Sequence, residues 1–391
     1  MTAGPTHAVV VGAGAFGVAS ALELRRRAWS VTMLDSGPVP NEAAASTDVS
    51  KVVRMDYGSD VFYHELAEAA LDGWDRWNAD WPRPLYHEDG FLILSREPMR
   101  PGGFEHESWR VLRERGHAPE RIGGRELERR HPAWSGADYP DGYFNPRGGW
   151  AESGAVVTRL VELARTAGVE LRSATCERIL SAGSRVSGVA VATGERLDAD
   201  AVVVSAGAWT PGLLPWLSDT MWPTAQPVVH LRVEDPGAFR GDRFPPWAAD
   251  IAGSGWYGFP ALADGTLKVA HHGPGTRTPP DRRGVVAEEH VDRVRSFLRS
   301  AVPGAADAPV VARRVCMYCD SFDGDFLIDR DPLRDGLVVA SGGSGHGFKF
   351  TPVIGAIVAD AVEGTPNRWG HRFRWRSPSG RVCTEEGRFR G

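Results

Sequence analysis

No apolar run in the 391 residues reaches the roughly 20 needed to cross a bilayer. The N-terminal "MTAGPTHA" passes into a strand-like "VVVGAG" without a basic stretch or a cleavage site, so neither a membrane span nor a secretory leader is expected. Cysteine is scarce: the four, at positions 176, 316, 319 and 383, are too few and too scattered for a disulfide framework. A reducing cytoplasm fits, and the ending "GRFRG" carries no peroxisomal address. Positive charge is not in excess either. The formal net charge of -5 excludes a dominant polyanion-binding surface, nucleic acid included, and the basic run "RWGHRFRWR" reads as a solvated face.

The one C-x-x-C lies in "RVCMYCD", which reads as a strand. Residues three apart on a strand point to opposite faces, so Cys316 and Cys319 are badly placed to share a metal or form a disulfide, and no metal site is expected.

What the chain has in quantity is apolar sequence: 42% hydrophobic residues over this length suffice for about two or three domains with more than one core. "HAVVVGAGAFGVASALELRRRAWSVTMLDSG" is a buried run, a glycine turn, a helix and a second apolar run ending at Asp35, which is a β-α-β dinucleotide unit. Gly12 permits the tight turn, Gly14 lets backbone approach a pyrophosphate, Gly17 lets helix and strand pack closely, and Asp35 can accept from ribose hydroxyls. This unit does not distinguish NAD from FAD.

Next, a helix with Leu66, Ala70, Trp74 and Trp77 on one side is broken at "WPRP", and "GFLILS" reads as a strand. Beyond Trp150 come a helix capped near Ser153, a short strand at residues 169–171, two strands of a meander, and "AVVVSAGAW", whose small residues at Ala206 and Gly207 precede Trp209. That order recurs in FAD-binding folds. From Pro227 to about Val311 the chain is strand-rich without β-α alternation, which predicts a separate antiparallel substrate domain. "GLVVASGGSGHGFKFTPVIGAIVADAVEG" then returns to the first domain. The expected fold is α/β plus α+β: a discontinuous Rossmann-type FAD domain (1–88, 150–225, 325–391) interleaved with an antiparallel-sheet substrate domain (89–149, 226–324).

Three stretches hold candidate chemistry. Asp264-Gly265 predicts a two-residue hairpin turn that pairs Tyr257 with His272 and puts Tyr257, Lys268 and His272 on one face, with solvent exposure of that face as the alternative. The glycine-rich turn "SGGSGHGFKF" offers backbone N–H groups to an anionic ligand atom, and Lys349 emerges between Phe348 and Phe350. "STDVSKVVRMDYG" carries Lys51 and Arg54, and a guanidinium there suits a carboxylate or simply faces water.

"VVVGAGAFG", "GWAESGA", "WYGFP", "LKVAHH", "VCMY" and "SGHGFKF" stand in the order and at roughly the spacing seen in monomeric sarcosine oxidase and its relatives, the fructosyl amino acid and pipecolate oxidases. The chain resembles this family of FAD-dependent amine oxidases over nearly its whole length. The resemblance implies FAD held covalently by Cys316 through the flavin 8α-methyl group, with Tyr318 beside it. It implies that Lys268, near flavin N5, promotes oxygen reduction to peroxide, that His272, Tyr318 and Lys51 complete the catalytic set, and that Arg54 and Lys349 bind a substrate carboxylate next to Tyr257. Gly12, Gly14, Ala15, Phe16, Gly17, Asp35, Ser36, Ser50, Cys176, Ala206, Gly207, Trp209, Gly343, Gly345, His346, Gly347, Phe348 and Lys349 join Cys316 in the expected cofactor site.

Lys51 stands where sarcosine oxidases have an arginine, and "CDSFDGDFLID" also departs from their pattern, which favours a bulkier secondary amine or cyclic imino acid. The expected reaction oxidises the C–N bond of an amino acid or secondary amine by hydride transfer to flavin N5, giving an imine, with oxygen reduced to peroxide in a monomeric enzyme. Alternatives are a flavin dehydrogenase serving a partner or quinone, a tailoring oxidase of an aromatic or ring amine, and a flavin-binding scaffold without turnover.

Overall fold

The computed structural model describes residues 6–378 and 388–389; Cys383 lies outside them. The first apolar run forms the strand His7–Val11 at the centre of a six-stranded sheet. Its neighbours are Ser30–Asp35 and then Glu170–Ser173 on one side, and Ala201–Val204, Leu337–Ser341 and Leu327–Arg330 on the other. All pairings are parallel except the last, which closes the edge antiparallel. Such a sheet must be covered on both faces. Ala8, Val10 and Val203 pack with helices Ala15–Arg26 and Thr351–Glu363 through Val18, Ala21, Ile354 and Val358. Val9, Val11, Val202 and Val204 pack on the other face against Val186, Val189 and Val191 of the meander.

The second large sheet has nine strands, nearly all antiparallel. Its functional half is the long strand Met221–Arg232 flanked by Val310–Ser321 on one side and by Thr266–His271 and then Trp256–Gly258 on the other. Period-two alternation divides the side chains between its faces. Val229, Leu231, Leu267 and Val269 point to a core closed by helix Glu288–Ala301, whose Val291, Val294 and Leu298 join it. Val228, Ala270, Cys316 and Tyr318 point the other way. The helix is an element that the strand-rich reading of residues 227–311 does not contain, and it seals the back of the sheet so that chemistry faces the parallel sheet. The expected boundary at 225/226 falls inside the continuous strand Met221–Arg232.

Other expectations need local correction. Ser153 is the first residue of its helix, and its hydroxyl donates to the Asp48 carbonyl at 2.6 Å instead of capping. The hairpin loop spans three residues, Ala263–Gly265, with Gly265 at φ +82° and its N–H bonded to the Leu262 carbonyl. Tyr257 consequently opposes Ala270, not His272. The slip is two residues, so the face is preserved. The run "RWGHRFRWR" is not a solvated face: Trp369 and Phe373 are buried, Arg372 bonds Asp325 and Asp60 at 2.5 and 2.7 Å, and Arg376 holds Asp323 at 2.6 Å. No helix among the described residues is long and apolar enough to cross a membrane.

Candidate active site

A cavity of about 480 Å³ opens where the parallel sheet meets the glycine-rich turns and the end of strand Val310–Ser321. Gly12, Gly14, Ala15 and Phe16 begin it, Asp35, Ser36, Cys176, Ala206, Gly207 and Trp209 continue it, and Gly343, Gly345, Gly347 and Phe348 close it beside Met317 and Tyr318. Gly12 has φ +102°, and a Cβ there would stand 2.5 Å from the Ser205 carbonyl oxygen, so only glycine fits. Gly17 lies behind the wall, where a Cβ would meet the Gly12 carbonyl oxygen, as expected of a close helix–strand contact. Asp35 accepts from the Ala13 N–H at 2.9 Å and from Asn41 Nδ2 at 2.6 Å, which orients its carboxylate at the end of its strand. These features fit FAD: a backbone cradle at a helix N-terminus for pyrophosphate, an oriented acid for ribose, and a long apolar floor.

Five of the expected cofactor residues do not line this cavity: Gly17, Ser50, Cys316, His346 and Lys349. Cys316 is the informative one. Its buried Sγ lies 3.8 Å from Lys51 Nζ and 4.0 Å from the Ala45 carbonyl oxygen, and both of those residues do line the cavity. Cys319 points to the opposite face of the strand, into the core beside Val9 and Val339, and also reaches the cavity wall together with Ser341, whose Oγ is 3.5 Å from its sulfur; burial pushes its thiol up to about 11. Burial also pushes the Cys176 thiol up to about 11. Cys176, Cys316 and Cys319 are all free thiols.

The sheet face that carries Cys316 also carries Tyr318, Tyr257 and Lys268, and His272 follows at the end of its strand. The His272 ring lies 6.4 Å from that of Tyr257 and 6.2 Å from that of Tyr318. Burial pushes both phenols up, so they remain protonated donors. Lys268 is 1% exposed. Its Nζ donates to the Ser50 carbonyl at 2.7 Å and makes an ion-pair contact with Asp48 Oδ2 at 2.5 Å. Burial pulls its ammonium down to about 8, Asp48 pulling it up and Lys51 pushing it further down.

A second group forms around Tyr57. The Arg54 guanidinium carbon lies 5.0 Å from the Tyr57 ring centre and within 6 Å of those of Phe91 and Phe104. Arg54 is buried, and its Nη1 has no hydrogen-bond partner among the described residues. Lys349 Nζ donates to Tyr57 Oη and to the His346 carbonyl, both at 2.9 Å. The turn joins the two groups: Gly345 packs on the Tyr318 ring, while His346 Nδ1 is 3.1 Å from Tyr57 Oη. His346 is thus a brace, and Ser50 contributes its carbonyl.

Sequence reasoning missed Tyr57, Asp48, His230, Asn41 and Ser46, whose Oγ accepts from the Ala15 N–H at 3.2 Å. Asp48 had one readable signal, an acid in the same short stretch as Lys51 and Arg54. A further regularity becomes visible only with the site in view. Of 45 basic residues only three are lysines, Lys51, Lys268 and Lys349, and all three are here.

The fold and this cavity define a dinucleotide-dependent oxidoreductase. The sequence profile of the FAD dependent oxidoreductase family matches residues 7–361, and the chain belongs to that family. Monomeric sarcosine oxidase of Bacillus sp. (strain B-0618) is 27% identical over 359 residues, covering 90% of each chain. N-methyl-L-tryptophan oxidase of Salmonella arizonae is 30% identical over 370 residues, covering 92% of this chain and 95% of its own. Among solved structures, fructosamine oxidase (Amadoriase II) of Aspergillus fumigatus superposes with a TM-score of 0.86 at 26% identity, covering 99% of this chain and 94% of its own. The chain is an FAD-dependent oxidoreductase whose homologues act on CH–NH bonds.

Proposed function

We propose that the chain is an oxidase of the C–N bond of an N-substituted, cyclic or glycated amino acid, with oxygen as electron acceptor and FAD tethered through Cys316. The observation that carries this reading is the two-cation anchor around Tyr57, joined by one turn to the face that bears Lys268 and Cys316. The names of its relatives, which include oxidases of sarcosine, N-methyl-L-tryptophan and fructosamine, support a secondary amine.

FAD, when bound, supplies the oxidising power, accepting a hydride from the carbon next to nitrogen and returning two electrons to oxygen to give hydrogen peroxide. The residues do the positioning. Arg54 has a buried guanidinium N–H to give, and a substrate carboxylate provides its acceptor; Lys349 adds a second positive charge through the Tyr57 contact. Tyr257, Tyr318 and His272 form the wall for the amine end, and a site with this many cations favours the amine without its extra proton. Oxygen gains negative charge as it is reduced, and the Lys268 ammonium, held away from water, stabilises that charge. Lys51 places a positive charge beside the sulfur that would form the thioether.

Anaerobic mixing with a panel of N-alkyl, cyclic and glycated amino acids should bleach the flavin absorbance with at least one of them, and oxygen should restore it with release of peroxide. If no amine bleaches it, the assignment fails. Lys268→Met should slow reoxidation by about 100-fold or more while leaving anaerobic bleaching close to normal; unchanged reoxidation would point to a dehydrogenase with another acceptor. Because the ammonium is present below about pH 8 and lost above it, reoxidation of the unaltered enzyme should decline as pH rises through that value.

A further inference from the structure

Lys268 is not alone in its buried setting. Asp48, 3% exposed, meets Lys268 with one carboxylate oxygen and His230 with the other, Nε2 to Oδ1 at 3.1 Å. His230 sits directly across the strand pair from Lys268, so the sheet register itself brings both side chains to the same face beneath Asp48. Three elements meet at this point: the loop bearing Asp48, the strand Met221–Arg232 and the strand Thr266–His271. Burial alone would raise the Asp48 carboxyl, yet Lys268, His230 and Lys51 hold it well below the usual carboxylate range. The loop is tied down independently, since Arg314 donates to the Ala44 carbonyl at 2.6 Å and Ser153 to that of Asp48.

A buried ammonium keeps its proton only if a neighbouring anion offsets lost hydration, and a buried anion persists only if its own oxygens are satisfied. The Asp48 oxygen that Lys268 does not reach, Oδ1, accepts from the Val49 N–H at 2.8 Å, and His230 Nε2–H is the side-chain donor that completes it. Lys51 and Cys316 are the other titratable groups that act on Lys268, and Lys51 opposes its charge. Hydrophobic positions dominate the stretch "VVHL", and nothing in the fold of this strand calls for an imidazole.

We propose that Asp48 and His230 are positioning residues that hold a proton on Lys268 Nζ during the oxygen half of the reaction, His230 acting through Asp48. The inference rests on the oxidase reading for its functional consequence, but the protonation of Lys268 can be measured apart from turnover. With three lysines in the chain, labelling lysine with carbon-13 at Cε gives three resonances, and the one lost in Lys268→Met belongs to Lys268.

In the flavin-bound protein, His230→Leu should move the Lys268 titration to lower pH by about one pH unit, and the alkaline decline in reoxidation rate should move with it. His230→Gln, whose side-chain amide can also donate to Asp48, should restore most of both. Asp48→Asn should shift the titration further; if that variant does not fold, the two His230 variants carry the test. Lys268 titrations that superimpose in the unaltered protein and His230→Leu would overturn the proposal. A shifted titration together with Lys268→Met reoxidation at the normal rate would instead remove the oxidase reading and leave the proton-holding role standing.

Discussion

Arg54 is enclosed by Tyr57, Phe91 and Phe104 yet keeps one guanidinium nitrogen without a hydrogen-bond partner among the described residues. Such an arrangement is costly unless a ligand completes it, because a buried donor left unsatisfied forfeits its hydration. Asp56 does not complete it: its Oδ1 accepts from Tyr143 at 2.8 Å, and its buried Oδ2, like Arg54 Nη1, has no hydrogen-bond partner among the described residues, so Arg54 acts on it only through charge. Arg54→Met keeps the apolar stem and removes the charge. It should raise KM for amino-acid substrates by about 10- to 100-fold, the worth of a charge-assisted hydrogen bond, and leave amines without a carboxylate nearly unaffected. Steady-state kinetics on matched substrates with and without the carboxylate would check this, and equal losses on both would argue for disruption of the fold. Arginine in this stretch was readable as a carboxylate ligand or a surface charge, and burial decides between them. Beyond its place beside Lys51 and Arg54, the role of Asp48 was not readable, and that of His230 not at all, because both depend on Lys268, over 200 residues from the first and some 40 from the second.

The glycine-rich turn is the element that holds the two halves of the site together. Gly345 has φ +79°, and a Cβ there would stand 2.4 Å from the Tyr318 ring. Gly345→Ala therefore combines backbone strain with displacement of Tyr318. It should cost about 1–3 kcal/mol of stability, seen as a lower denaturant midpoint, and reduce turnover because Tyr318 lines the cavity beside His272. A variant with unchanged midpoint and turnover would show that the turn tolerates a side chain. At this scale the sequence was informative where one strand or turn carries the whole signal: the turn motif, the dinucleotide unit and the alternation of Cys316 with Cys319 all read correctly. The hairpin shows where such reading stops. Parity put Tyr257 and Lys268 on one face, but the register slipped by two residues because the Ala263–Gly265 loop and Pro260 break the ladder near the turn.

For the whole molecule, the cavity is built by residues of both large sheets: Val11 and Asp35 come from the parallel one, Met317 and Tyr318 from the antiparallel one. A cofactor in it contacts both and adds its binding energy to their association. Sequence could announce each sheet but not their docking, which draws on contacts such as Arg314 with the Ala44 carbonyl and Lys268 with Asp48, whose members are distant along the chain. A thioether at Cys316 would make this bridge permanent, so the melting temperature of the unaltered protein should not respond to added FAD. In Cys316→Ala the cofactor equilibrates with solution, and added FAD at 100 times its dissociation constant should stabilise the fold by about 2.7 kcal/mol. Thermal melts across an FAD series would read this directly, and acid precipitation gives the chemical counterpart. Yellow colour should stay in the pellet of the unaltered protein and of Cys319→Ala but pass to the supernatant of Cys316→Ala; colour in the supernatant of the unaltered protein would refute the tether while leaving the FAD site itself intact.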